Sequence, residues 1–270
     1  MDFVRPESAT RPTTDLGVNE RSVEVPWARQ RVGAARCVLD VGCSTSDYLV
    51  DVAGTGSHQD RHVYGLDPDA PQPIRNVGAV KGTIVAPPFP PASFDLILCI
   101  STVEHIGLPV YSQHEFPHGD ILAMRHIRCL LTPRGRLLLT VPFGRAQVNP
   151  WFRVYDRAGL RRLTAGFRSL SASFYRLNQE SEGPSTLRQA QGATDSGPSA
   201  GSGRGSYEPC HPTELRAAGY DFDHMRTEGV ALVELAPSGF LSFLLVRALT
   251  RLSFWLDRLR GKERPFLAQS

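Results

Sequence analysis

Two apolar runs, each carrying an aspartate at or beside its C-terminal end, constrain the fold more than any other feature. Cys37-Val38-Leu39-Asp40-Val41 runs into Gly42-Cys43-Ser44, and His62-Val63-Tyr64-Gly65-Leu66 stops at Asp67-Pro68. A short apolar run closed by a turn reads as a strand buried in a parallel sheet. Tyr48 to Ala53 supplies an apolar, helix-like segment between them. Together they make a strand–helix–strand unit of the ~30 residues such units need.

The alternation continues downstream. Gly82 to Val85 is a short strand candidate, followed by the proline-rich loop Pro87-Pro88-Phe89-Pro90-Pro91. Phe94 to Ile100 is the next buried strand. Asp120 to Leu131 has the spacing of an amphipathic helix, which Pro133 and Gly135 end. Strands are expected at Arg136–Val141, Ser171–Leu177 and Gly229–Leu235, with a helix over Asp156–Phe167. Strands separated by helices predict an α/β fold with a doubly wound, mainly parallel sheet.

Composition divides the chain. Residues 1–30 are polar and proline-bearing and read as a flexible lead-in with a short helix near Val25 to Gln30. The core domain is expected over 31–236, interrupted by a Gly/Ser/Gln-rich stretch at 180–206 whose composition fits a disordered insertion. Residues 237–270 form a basic, amphipathic helical tail. Five scattered cysteines make no CxxC and no metal-ligand spacing, so reduced thiols and a cytoplasmic location are expected. The first residues lack the apolar region of a signal peptide. A formal net charge of +3 is no footprint of a nucleic-acid binder.

Ligands of a doubly wound sheet bind outside the carboxyl ends of its strands. Gly42, lacking a Cβ, lets the backbone approach a ligand there. A dinucleotide turn needs further glycines so that a pyrophosphate can sit on the helix N-terminus. Here Cys43, Ser44, Thr45 and Ser46 follow instead. Asp40 inside the turn would repel a pyrophosphate and favour a cofactor bearing an ammonium group. Asp67 ends the second strand where an acid accepts ribose hydroxyls. A nicotinamide-dependent oxidoreductase is disfavoured on both counts.

The succession VLDVGCS, VYGLDP, PPFPPASFDLILCISTVEHIG and LLTPRGRLLLTVPFG, followed by WFRVYD, resembles class I S-adenosylmethionine-dependent methyltransferases. The likeness covers about Cys37 to Phe167. It implies a seven-stranded Rossmann-like methyltransferase fold with S-adenosylmethionine as cofactor. It further implies that Asp40, Gly42, Cys43 and Ser44 line the methionine half, that Asp67 and Pro68 hold the ribose, and that Gly82, Thr83 and Ile84 surround the adenine. Thr83 stands where the family carries aspartate, and Ser44 where many members carry glycine. Ser101 is expected at the cofactor mouth.

Glu104 and His105 follow the fourth strand, where cofactor and acceptor meet. His105 is the candidate general base, because imidazole titrates near neutral pH; the pair equally suits a role in organising the turn. Tyr111, His118, Trp151, Arg153 and Tyr155 are candidate acceptor-site residues. For Trp151 and Tyr155 the alternative is packing, and for Arg153 an ion pair with Asp156. His118 and Asp120 alone do not make a metal site, and no metal is expected. Ser101-Thr102-Val103-Glu104 replaces the Asn/Asp-Pro-Pro-aromatic segment of many amino-methylating enzymes, which favours oxygen or carbon acceptors.

In the tail, Leu241, Leu244, Leu245, Ala248, Leu252, Trp255, Leu256 and Leu259 recur at helical spacing, with Arg247, Arg251 and Arg258 opposite. Such a helix packs on its own domain or in a homodimer, or makes a peripheral membrane contact through 240–260. The function expected is methylation of a small-molecule, glycan or lipid-linked acceptor at oxygen. The alternative is a non-catalytic cofactor-binding or regulatory module with the same fold.

Overall fold

The computed structural model describes residues 19–46, 48–54, 61–69, 74–111, 115–179, 205–221 and 226–239. In chain order these form α1 (Arg21–Arg31), β1 (Cys37–Val41), α2 (Leu49–Ala53), β2 (His62–Asp67), β3 (Val77–Lys81), β4 (Phe94–Ile100), α3 (Gly119–Leu130) and β5 (Leu131–Pro142). Then come β6 (Gln147–Val148), β7 (Arg153–Val154), α4 (Arg157–Leu163), β8 (Phe167–Gln179), β9 (Gly205–Pro209), β10 (Tyr220–Asp221), β11 (Arg226–Thr227) and β12 (Gly229–Pro237). Short 3-10 turns span Cys43–Thr45 and Val103–His105.

One eight-stranded sheet runs in the order β3-β2-β1-β4-β5-β12-β8-β9. The strands from β3 to β5 pair in parallel. β12, β8 and β9 add on in antiparallel fashion. Alternate residues of the inner strands feed opposite layers. Leu39, Ile97, Leu139 and Val233 pack with Ala123, Met124 and Ile127 of α3. Val38, Leu98, Leu138 and Leu232 pack with Trp27 and Ala28 of α1 and Leu49 of α2. Both faces are covered, which is why the inner strands are apolar throughout rather than alternating. A register shift between Phe94 and Leu96 puts Phe94 on the same layer as Ile97.

The structure departs from the sequence expectations at several points. The sheet has eight strands rather than seven, because Gly205–Pro209 pairs with β8. Gly205 and Ser206, expected in the insertion, are the start of that strand. The strand expected at Gly82–Val85 lies at Val77–Lys81, paired with β2 from Val63 to Asp67. Gly82 has already left the sheet, its N–H donating to the Asp67 carbonyl at 2.8 Å. Within the expected flexible lead-in, Arg21–Arg31 is a helix whose Trp27 and Ala28 are buried against the sheet. Residues 180–204 and the tail from 240 onward, where the amphipathic helix is expected, lie outside the described residues. Among the described residues no helix is long and apolar enough to cross a membrane.

Candidate active site

The strand order turns at β1, which lies between β2 and β4. The crevice outside the carboxyl ends of such strands is where ligands bind in open α/β sheets. Asp40, Gly42, Asp67 and Ser101 all fall at this edge, with the turns Cys43–Thr45 and Val103–His105.

Asp40 is fully buried. Its Oδ1 accepts a hydrogen bond from the Tyr48 hydroxyl at 2.9 Å, while Oδ2 is buried without a hydrogen-bond partner. Burial pushes the carboxyl up to about 6, partly offset by the Ser46 and Tyr48 hydroxyls and by the charge of Arg21. An orphaned buried acceptor costs about 1–3 kcal/mol, more when charged. A cationic ligand would relieve that cost.

Gly42 adopts φ +83, a left-handed conformation that glycine takes without penalty. A Cβ there would meet the Thr102 side chain at 2.5 Å. The close approach that requires glycine is therefore to Thr102 at the end of β4. Cys43 is buried, its Sγ filling the space a Cβ at Gly65 would take, and burial pushes its thiol up to about 12. Its side chain thus packs inward. The backbone N–H of Ser44 donates to Asp67 Oδ2 at 3.0 Å, and that of Asp69 to Oδ1 at 3.0 Å, tying Pro68 and the end of β2 to the glycine turn. Thr83 Oγ1 accepts from the Val85 N–H at 3.4 Å. Ile84 is buried with Leu66 and Phe89.

One wall comes from α1 and was not anticipated from the sequence. The Ser101 hydroxyl donates to Glu24 Oε1 at 2.6 Å, from a residue with φ +43. Glu24 is fully buried and lies 3.9 Å from Arg21 Nε. Burial and the neighbouring Glu24 push Glu20 up to about 7. Glu24, Trp27 and Ala28 are buried at i, i+3 and i+4. That helical stripe is visible in the sequence only to a reader who allows a glutamate in the core.

The other wall carries the expected acceptor residues. His105 Nδ1 lies 2.7 Å from the Trp151 carbonyl oxygen, and burial lowers its imidazole to about 4. Glu104 is buried, and burial holds its carboxyl well above the usual range. Burial thus disfavours the charged form of both groups across the 3.9 Å between Glu104 Oε1 and His105 Nε2. The rings of His105 and Tyr111 meet edge to face at 5.4 Å, and those of Tyr111 and Trp151 at 5.6 Å. Tyr111 and Trp151 are exposed.

Arg153 and Tyr155 are held in a different way. Arg153 donates to the carbonyls of Glu104 at 3.0 Å and Ile106 at 2.9 Å, and its Nε lies 3.8 Å from Asp120 Oδ2. The buried Tyr155 hydroxyl donates to the same carboxylate oxygen at 3.0 Å. Arg153 thus pairs with Asp120. Asp156 instead caps α4, accepting from the Gly159 N–H at 2.6 Å. His118 is exposed at the start of α3, away from the contacts that join His105, Tyr111 and Trp151.

A family model described as a methyltransferase domain matches residues 39–139, the stretch that holds Asp40, Gly42, Asp67, Ser101, Glu104 and His105. Residues 39–139 form an S-adenosylmethionine-dependent methyltransferase domain. A second model, described as Caenorhabditis protein of unknown function, DUF268, matches 91–197, the stretch that holds Tyr111, Trp151 and Arg153. No curated protein matches the sequence. Among solved structures, the chain is similar to the YcgJ protein of Bacillus subtilis at 13% identity and TM-score 0.47, over 80% of this chain and 99% of that one. It is similar too to the 1,6-didemethyltoxoflavin-N1-methyltransferase of Burkholderia thailandensis, solved with 1,6-didemethyltoxoflavin and S-adenosylhomocysteine. There the identity is 13% and the TM-score 0.47, over 80% of this chain and 79% of that one.

The methyltransferase's own residues fit the cofactor. S-adenosylmethionine carries a cationic sulfonium and ammonium and a ribose diol. The edge offers the orphaned oxygen of Asp40 and, next to it, the carboxylate of Asp67, whose present partners are backbone N–H groups.

Proposed function

We propose that this methyltransferase methylates a small-molecule, glycan or lipid-linked acceptor at an oxygen atom, by in-line displacement, with His105 as the base. When bound, S-adenosylmethionine supplies an electrophilic methyl group on its sulfonium. Asp40 holds the ammonium and Asp67 the ribose, with Gly42, Cys43, Ser44 and Pro68 shaping the turn between them and Gly82, Thr83 and Ile84 at the adenine. Tyr111 and Trp151 offer an aromatic wall to the acceptor. His105 takes the acceptor's proton on Nε2 as the oxygen–carbon bond forms and the carbon–sulfur bond breaks.

The observation that carries this reading is the 2.7 Å contact between His105 Nδ1 and the Trp151 carbonyl oxygen, which fixes the ring. With Nδ1–H donating to that carbonyl, Nε2 keeps its lone pair. A base held at about 4 is unprotonated at neutral pH but weak, so it takes the proton late, once bond formation to the methyl group has made the acceptor hydroxyl strongly acidic. Aligning the reactants contributes about 7–11 kcal/mol of barrier reduction, and the base a further ~10²–10⁴-fold.

The test is transfer of radiolabelled methyl from S-adenosylmethionine to a panel of phenolic, enolic, sugar and amine acceptors. O-methylated product, with His105→Ala slower by about 10²–10⁴-fold, supports the proposal. Label on nitrogen or carbon, or a His105→Ala variant as fast as the wild type, contradicts it. A second reading, a cofactor-binding module without turnover, is favoured by Thr83, whose hydroxyl is already engaged by the Val85 N–H. Tight cofactor binding with no transfer to any acceptor supports that reading.

A further inference from the structure

Arg21 is placed unusually for a residue of a helix's first turn. Its guanidinium stands over the carboxyl end of β4, 3.4 Å from the Ile100 carbonyl oxygen. Its charge acts on Asp40, Tyr48, Glu104 and His105 alike. Its charge therefore reaches both the acid proposed for the cofactor's ammonium and the base proposed for the acceptor. Its side chain keeps 34% of its surface exposed, whereas the neighbouring Glu24 side chain has none.

A purely structural ion pair does not account for this arrangement. A closed guanidinium–carboxylate pair sits at about 2.7–2.9 Å, and Arg21 Nε is 3.9 Å from Glu24. Glu24 is instead fixed by the Ser101 hydroxyl, and its Oε2 has no hydrogen-bond partner. Among the described residues, Arg21 makes the weak Ile100 contact and the open Glu24 pair, and its charge also faces Glu20, Glu104 and the Tyr48 hydroxyl. A guanidinium carries five N–H donors, more than these two contacts engage. A buried carboxyl with a free oxygen on one side and a guanidinium with further donors on the other complement an α-amino acid zwitterion.

We propose that Arg21 binds the carboxylate of the cofactor's amino acid end, so that Asp40 and Arg21 grip its ammonium and carboxylate from opposite sides. Ser101 and Glu24 act as positioning residues that hold the guanidinium over β4. The inference rests on the S-adenosylmethionine reading of the site and adds to it a residue from outside the matched domain.

Calorimetric titration with S-adenosylhomocysteine and with its decarboxylated analogue, S-adenosyl-3-thiopropylamine, tests it without turnover. The wild type is expected to prefer S-adenosylhomocysteine by about 10- to 100-fold, the range of a hydrogen bond to a charged group. Arg21→Gln should erase that preference while leaving the analogue's affinity within about 3-fold, and Arg21→Lys should keep part of it. Asp67→Ala should weaken both ligands equally and preserve the ratio. Equal affinities in the wild type, or an undiminished ratio in Arg21→Gln, overturn the proposal. If Arg21→Gln does not fold, an Arg21→Lys ratio equal to the wild type's overturns it. Failure of the folded wild type to bind either nucleoside overturns the cofactor reading itself.

Discussion

The Trp151 carbonyl oxygen and His105 Nδ1, separated by 2.7 Å, fix the tautomer and orientation of the imidazole, while burial lowers its pKa. The contact joins the turn after β4 to the segment after β5, so the candidate base is oriented by backbone rather than by a carboxylate. Nitrogen-15 spectra should show a neutral ring protonated at Nδ1 and unchanged from about pH 5.5 to 8, titrating only near about 4. A ring that titrates near about 6.5, the unperturbed value, contradicts the burial argument.

Burial of the Asp40 carboxyl makes stability depend on pH. Its folded value of about 6 lies above the ordinary 3.8. Between about pH 4 and 6 the folded chain therefore holds a proton that the unfolded chain has lost, and stability falls as pH rises through that window. Asp40→Asn does not titrate, so its stability relative to wild type should climb across the same window. The gain should level off at about 3 kcal/mol near neutrality, with cofactor binding weakened. Urea unfolding at a series of pH values checks this; a pH-independent difference between the two proteins contradicts it.

Arg153 supports the turn bearing His105 rather than meeting the acceptor. Its guanidinium donates to the carbonyls of Glu104 and Ile106, and its side chain is 12% exposed. Arg153→Ala should cost about 2–4 kcal/mol of stability, with Arg153→Lys rescuing little because one ammonium cannot reproduce the planar fork. In denaturant unfolding, a loss below about 0.5 kcal/mol, the level of a surface substitution, would contradict this role.

What the sequence made legible is what local pattern encodes. β1, β2 and β4 are short apolar runs buried on both faces, and their ends carry Asp40, Asp67 and Ser101 to one edge. β3 was misplaced because it is an edge strand with half-exposed residues and only Val77, Ala79 and Val80 as apolar markers. β9 was hidden by the glycine- and serine-rich stretch leading into it, and declares itself only through pairing with β8. Glycine at position 42 was legible, yet its cause, the Thr102 side chain some sixty residues on, was not. Arg21 and Glu24 were missed for the same reason. Their meaning lies in tertiary neighbours, Ile100 and Ser101, that no local spacing points to.

Asp67, whose carboxylate partners among the described residues are backbone N–H groups, is the cofactor anchor most directly open to test. Titration of S-adenosylmethionine into the wild type and Asp67→Ala by calorimetry measures it. Saturable binding by the wild type, weakened in the variant by about 1–3 kcal/mol for the loss of a charged acceptor, is the predicted result. No binding by the folded wild type, or equal binding by both proteins, would contradict it.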